Sequence, residues 1–158
     1  MIIIGYALVA FLVLIDQLSK YFILNTIKIG NAISIIPGVI DFRPVYNTGA
    51  AFSMFNEYTA ILGFISIISI IVISFFMKNL NFKNNKIYSY SIVLIFSGAF
   101  GNMIDRLLNK KGVFDFIELK FINFAIFNFA DICLTMGFIL LAIYMIMIEG
   151  KDKKYEKR

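Results

Sequence analysis

The chain has 158 residues, 60% of them hydrophobic, with a mean hydropathy of +0.84 and a formal charge of +5 from 15 basic and 10 acidic residues. A soluble domain is closer to half apolar, so the composition indicates an integral membrane protein. It holds no histidine and one cysteine, Cys133, which excludes the usual zinc ligand sets, Ser-His and Cys-His nucleophile systems and any intrachain disulfide.

Ile2 to Leu24 is long enough to cross a bilayer. It lacks the basic start and small-residue cleavage site of a signal peptide, and it carries Asp16 and Lys20. These two lie i, i+4 on one helical face in the favourable order for an ion pair, read here as a buried structural pair. Residues 25–57 then form a long connection holding both prolines, Pro37 and Pro44. It is too apolar for a solvated loop, and loops of this length are usually functional. Short extended runs about a Pro37-Gly38 turn, then a brief helix near Gly49 to Phe55, would suit a platform resting on the membrane. Within it Asn47-Thr48-Gly49-Ala50-Ala51-Phe52 pairs a polar amide with small residues. The residues alone leave two readings: a plain turn, or a segment that approaches a ligand closely.

Tyr58 to Met77 is uncharged and reads as a second span with no visible chemistry. After a short basic, Asn-rich turn, Ile87 to Leu108 gives a third. There Gly98, Asn102 and Asp105 share one helical stripe with Gly101 beside them, so close packing and an inward polar face are expected. Arg106 follows Asp105 directly, points elsewhere on a helix, and is free to reach another carboxylate. Residues 109–124 alternate loosely around Asp115, and a fourth span is expected over residues 125–148, with Asn128 and Asp131 in its first turns. The helix dipole there favours an anion. Cys133 is expected to pack within this span.

Between Ser97 and Asp131 stand four of the ten acidic residues, Asp105, Asp115, Glu118 and Asp131, in a strongly apolar part of the chain. Carboxylates beside lipid are costly and are kept where they have a partner or a task. Asp115 and Asp131 fall at the same end of the fourth span, and such a pair can share a proton and run acid–base hydrolysis. Four spans put both termini on one side. Lys78, Lys83, Lys86 and five basic tail residues lie there, against Lys28, Arg43, Lys110, Lys111 and Lys120 opposite. The bias predicts cytoplasmic termini and an outer-face site, and the basic tail suggests a membrane surface rather than nucleic acid. One membrane domain is expected: all-α, four transmembrane helices, with a small extracytoplasmic β-platform and a short helix in the first external loop.

Five blocks carry a resemblance: Asp16-Gln17-Leu18-Ser19-Lys20, Asn47 to Phe52, Gly98-x-x-Gly101-Asn102-x-x-Asp105-Arg106, Val113-Phe114-Asp115-Phe116 and Phe127-Asn128-x-Ala130-Asp131. In order and spacing the chain resembles the bacterial lipoprotein signal peptidases (signal peptidase II). The resemblance implies an aspartic endopeptidase of the bacterial plasma membrane that removes signal peptides from prolipoproteins, cutting just before a diacylglyceryl-modified cysteine. Its catalytic pair falls on Asp115 and Asp131. Substrate-contacting or site-ordering positions fall on Asn47, Gly49, Asn102, Arg106, Asn128 and Ala130, and structural ones on Asp16, Lys20 and Asp105. It implies no metal, no cofactor and no nucleic acid, with a monomer acting on a lipidated prolipoprotein among membrane lipids. Two rival classes remain open on spacing alone. A small four-span proton-coupled transporter would want carboxylates near the bilayer midplane. A scaffold subunit would leave Asp115 and Asp131 replaceable by asparagine.

Overall fold

A computed structural model describes residues 1–47, 59–109 and 111–156. In chain order it forms α1 (Ile2–Thr26), β1 (Ile33–Ile36), β2 (Ile40–Asn47), α2 (Thr59–Met77), α3 (Lys86–Leu108), β3 (Val113–Leu119) and α4 (Phe129–Glu156). The stretches Ile2–Thr26, Lys86–Leu108 and Phe129–Ile148 are long and apolar enough to cross a membrane. α2, with 19 residues, measures about 28 Å, close to the ~30 Å hydrocarbon core. The brief helix expected near Gly49 to Phe55 lies outside the described residues.

α3 is the central helix. Of its span 56% is buried, against 17% for α1 and 11% for α4, whose outer faces carry exposed Phe11, Phe22, Phe138 and Ile146. Such faces suit lipid and would be untenable in water. Small residues on α3 set the closeness of the bundle. A β-carbon at Gly98 would overlap the Ala130 carbonyl and lie 2.8 Å from Leu134 Cγ and 2.9 Å from Leu134 N; one at Gly101 would lie 2.6 Å from Asp16 Oδ2. The expected stripe is therefore the seam where α1 and α4 meet α3. Gly98→Ala is expected to lower thermal stability in detergent by about 1–3 kcal/mol, because backbone atoms of α4 cannot step aside one at a time. An unchanged melting temperature would mean that the two helices do not touch there.

The platform is a three-stranded antiparallel sheet in the order β1-β2-β3. The Pro37-Gly38 turn forms as expected: Val39 N–H donates to Ile36 C=O at 2.9 Å, and Gly38 takes φ +73°, the positive angle a type II turn requires after proline. Pro44 lacks a donor and sits where the β2–β3 register shifts, between Phe42 and Val45. Asp41 lies opposite Glu118, and Lys120 bridges the two at 3.7 and 3.6 Å, with Arg43 on Glu118 at 3.2 Å. Glu118 is thereby occupied on the sheet.

The fourth helix begins at Phe129, four residues later than the hydropathy of the sequence suggests. Phe127 is drawn into an antiparallel bridge with Ile117. Its C=O accepts from Phe116 and Ile117 N–H at 3.0 and 2.8 Å, and its N–H donates to Ile117 C=O at 3.1 Å. A backbone engaged in a strand-type bridge cannot also close a helical turn, so α4 starts only beyond it. That delay brings the N-terminus of α4 beside β3.

Candidate active site

Asp115 lies in β3 opposite Val45 and is 2% exposed. Asn47, two residues on along β2, is its diagonal neighbour on the sheet, and Asn47 Nδ2 donates to Asp115 Oδ2 at 3.2 Å. Asp131 stands in the first turn of α4, third residue after Asn128. The two form a reciprocal cap: Asp131 N–H donates to Asn128 Oδ1 at 3.0 Å, and Asn128 N–H donates to Asp131 Oδ2 at 3.1 Å. The geometry is that of a capping box with Asn and Asp in place of the usual pair. It fixes Asp131 at the helix end, where the dipole also favours an anion.

Asn128 joins the two carboxyls. Its Nδ2 donates to Asp115 Oδ1 at 2.6 Å and to Asn102 Oδ1 at 3.0 Å, and Asn102 Nδ2 donates to Asp131 Oδ1 at 2.8 Å. Each of the four carboxyl oxygens thus receives one N–H donor. Burial pushes the Asp115 carboxyl up to about 7, and the Asp131 charge pushes the same way. The donors Asn47 and Asn128 and the Lys20 charge pull back without cancelling it. One member of the pair therefore holds a proton near neutrality.

Behind the amides lies a charged cluster. Lys20 Nζ reaches Asp16 Oδ2 and Asp105 Oδ2, both at 2.8 Å, and is 5% exposed. The i, i+4 pair expected from the sequence is present, and Asp105 joins it from α3. Asp16 Oδ1 accepts the Ala130 N–H at 3.0 Å, and Asp105 Oδ2 accepts the Phe114 N–H at 3.2 Å. Ala130 is 1% exposed and packs where α1, α3 and α4 converge.

Arg106 points away from Asp105, as expected, but among the described residues it makes no ion pair. Its Nη1 donates to Ser66 Oγ at 3.4 Å and to Asn102 C=O at 3.3 Å. It lines a groove of about 1190 Å³ between α2, α3 and α4. Asn47, Asp115 and Asp131 stand at one end and Phe76, Tyr88 and Tyr144 at the other. α2 therefore has chemistry that its apolar sequence conceals: Ser66 and Ser69 line the groove. Gln17 was also missed, although it lies inside a block singled out above. Its Nε2 donates to Asp16 Oδ2 at 3.0 Å and to Asp105 Oδ1 at 3.2 Å. Of the sequence-derived set, Asn47, Asn102, Arg106, Asn128, Asp115 and Asp131 come together, Ala130, Asp16, Lys20 and Asp105 support them, and Gly49 lies outside the described residues.

Membrane-crossing helices, a small sheet and a carboxyl pair opening on an apolar groove are the parts that an aspartic peptidase of the membrane would need. The pattern of the family described as signal peptidase (SPase) II matches residues 8–147. The chain belongs to the signal peptidase II family. It is 42% identical over 148 residues to the lipoprotein signal peptidase of Lactobacillus johnsonii, covering 93% of this chain and 95% of that one. It is 33% identical over 150 residues to that of Listeria welshimeri, covering 94% and 96%. A bacterial membrane enzyme solved by the in meso method at 2.3 Å resolution superposes with a TM-score of 0.81 and 34% identity, over 90% of this chain and 87% of that one. The transporter alternative finds no support in these relationships.

Proposed function

We propose that Asp115 and Asp131 act as a catalytic dyad that cleaves the signal peptide from a prolipoprotein just before a diacylglyceryl-modified cysteine. The observation that carries this reading is the pair, Asp115 buried and Asp131 half-buried, with a donor on every oxygen and one member that keeps its proton near pH 7. The ionised carboxylate takes a proton from water as the water oxygen attacks the scissile carbonyl. The protonated carboxyl gives its proton to the carbonyl oxygen, forming a neutral tetrahedral diol. Collapse of the diol re-forms C=O as one hydroxyl returns its proton to the second carboxylate, and the departing nitrogen takes a proton from the first carboxyl. The two carboxyls supply and recover every proton, so the cycle needs no metal. The pair titrates as a unit.

Asn102, Asn128 and Ala130 order the pair in this reading, since their polar groups are engaged within the site. Arg106 and Asn47 border the groove and would meet the substrate backbone, with the signal segment lying along the apolar walls. Every group needed comes from one chain, so a monomer suffices. The excess of basic residues beside the termini supports cytoplasmic termini and a site near the outer face.

The test is incubation of purified protein with a synthetic precursor, read by mass. A lipidated precursor should be cut, because each acyl methylene buried against apolar walls contributes about 0.8 kcal/mol. The same peptide with an unmodified cysteine should be cut poorly. Equal cleavage of both forms would refute the lipid requirement, and cleavage of neither would refute the function.

A further inference from the structure

We propose that Lys20 is a positioning residue for cleavage, its ammonium holding the Asn102 carboxamide oxygen so that the amide NH2 faces Asp131. The inference rests on reading Asp115 and Asp131 as the dyad and assigns to Lys20 a part in the reaction beyond holding α1 to α3.

An amide side chain can stand either way round, and only its partners decide which. Lys20 Nζ lies 3.3 Å from Asn102 Oδ1. An ammonium only donates, so that end of the amide must be oxygen, and the NH2 is left to reach Asp131 Oδ1 at 2.8 Å. The same oxygen accepts from Asn128 Nδ2 at 3.0 Å. That contact orients Asn128, whose NH2 then reaches Asp115 Oδ1 and whose oxygen accepts the Asp131 N–H. With Asn102 reversed, its NH2 would meet two donors and its oxygen a carboxylate. The direction of the chain of amides is therefore set from the Lys20 end.

The acids around Lys20 have a related task. A structural pair needs one carboxylate, yet Lys20 holds two. Asp16 anchors the N–H of the residue before Asp131, and Asp105 anchors the N–H of the residue before Asp115. Both arms of the dyad hang from the acids bound to this ammonium. Among the described residues the charged groups around the dyad are Asp16 and Lys20 from α1 and Asp105 and Arg106 from α3, while β2 contributes the neutral Asn47. Of these two cations Lys20 bonds the Asn102 side-chain carboxamide that contacts Asp131, whereas Arg106 meets Asn102 only at its backbone carbonyl.

Lys20→Met alone strands two buried acids. The informative variant is Asp16→Asn/Lys20→Met/Asp105→Asn, in which amide oxygens still accept the Ala130 and Phe114 N–H groups and no buried charge is unpaired. Cleavage of a lipidated precursor is measured on the monodisperse fraction, with kcat, KM and pH profile taken alongside thermal unfolding. The expected result is a folded protein with KM within about twofold of wild type, kcat at least tenfold lower, and limbs of the pH profile displaced from those of wild type. A conservative Lys20→Arg, which keeps a cationic donor, should retain more kcat and the wild-type limbs. A folded triple variant with wild-type kcat and limbs, or one changed only in KM, overturns the proposal. So does failure of both Lys20→Met variants to give any monodisperse protein, since the residue would then serve the fold itself. Wild type in the same assay separates this from the dyad reading: if it does not cut, that reading fails; if it cuts and the triple variant matches it, only the role of Lys20 fails.

Discussion

Asp115→Asn is expected to abolish cleavage while making the protein more stable above about pH 7. Asparagine nearly matches aspartate in shape and keeps one oxygen, for either the Asn47 or the Asn128 donor, but it cannot exchange a proton with water. Loss of a general acid or base typically costs ~10²–10⁴-fold, and Asp131→Asn should cost as much. Because the two act as one unit, the double variant should be little worse than either single one. The stability effect has the opposite sign. In the fold Asp115 keeps its proton up to about 7, whereas an unfolded aspartate loses it near ~3.9. Between these values the folded state binds more protons, so the contribution of Asp115 is fully present below pH about 4 and is lost as pH rises through about 7. Asparagine never ionises and escapes that loss. Thermal unfolding in detergent at pH 5 and pH 8, beside cleavage of a lipidated precursor, checks both halves. Near wild-type cleavage by the well-folded variant would sink the dyad. A variant less stable than wild type at pH 8 would sink the account of its burial. The wild-type pH–rate profile should be bell-shaped, with limbs that belong to the pair.

Asn128→Ala should damage fold and chemistry together, and Asn128→Asp should separate them. The side chain is fully buried and serves as cap of α4, link to Asn102 and donor to Asp115. Alanine removes the cap, at about 1–2 kcal/mol, and takes a donor from Asp115, so a lower melting temperature and about a 10²-fold drop in kcat are expected. Aspartate restores an oxygen to accept the Asp131 N–H, so most of the cap should return. It also turns a donor into an acceptor against Asp115 Oδ1, so activity should stay low. Wild-type turnover by the aspartate variant would show that Asn128 serves only the helix.

The sequence by itself determined whatever depends on local spacing. Spans of suitable length and apolarity predicted the helices. Proline followed by glycine predicted the turn at Pro37-Gly38. Asp16 and Lys20 four apart predicted their ion pair, and Gly98, Asn102 and Asp105 predicted the inward seam of α3. The family blocks singled out all of the residues that gather at the pair, except Ser66 and, as a residue of its own, Gln17. Partner choice across elements was decided only by tertiary structure. Asp105 meets Lys20 because α1 and α3 approach at Gly101, which no pattern within either helix records. Arg106 turns to Ser66 and the groove rather than to a carboxylate because α2 forms the opposite wall. The start of α4 was hidden for a related reason. Ala125, Ile126 and Phe127 are as apolar as a lipid-facing helix, so hydropathy carries no signal there to separate helix from strand. The bridge between Phe127 and Ile117 decides it, and by delaying the helix to Phe129 it brings Asn128 and Asp131 beside Asp115.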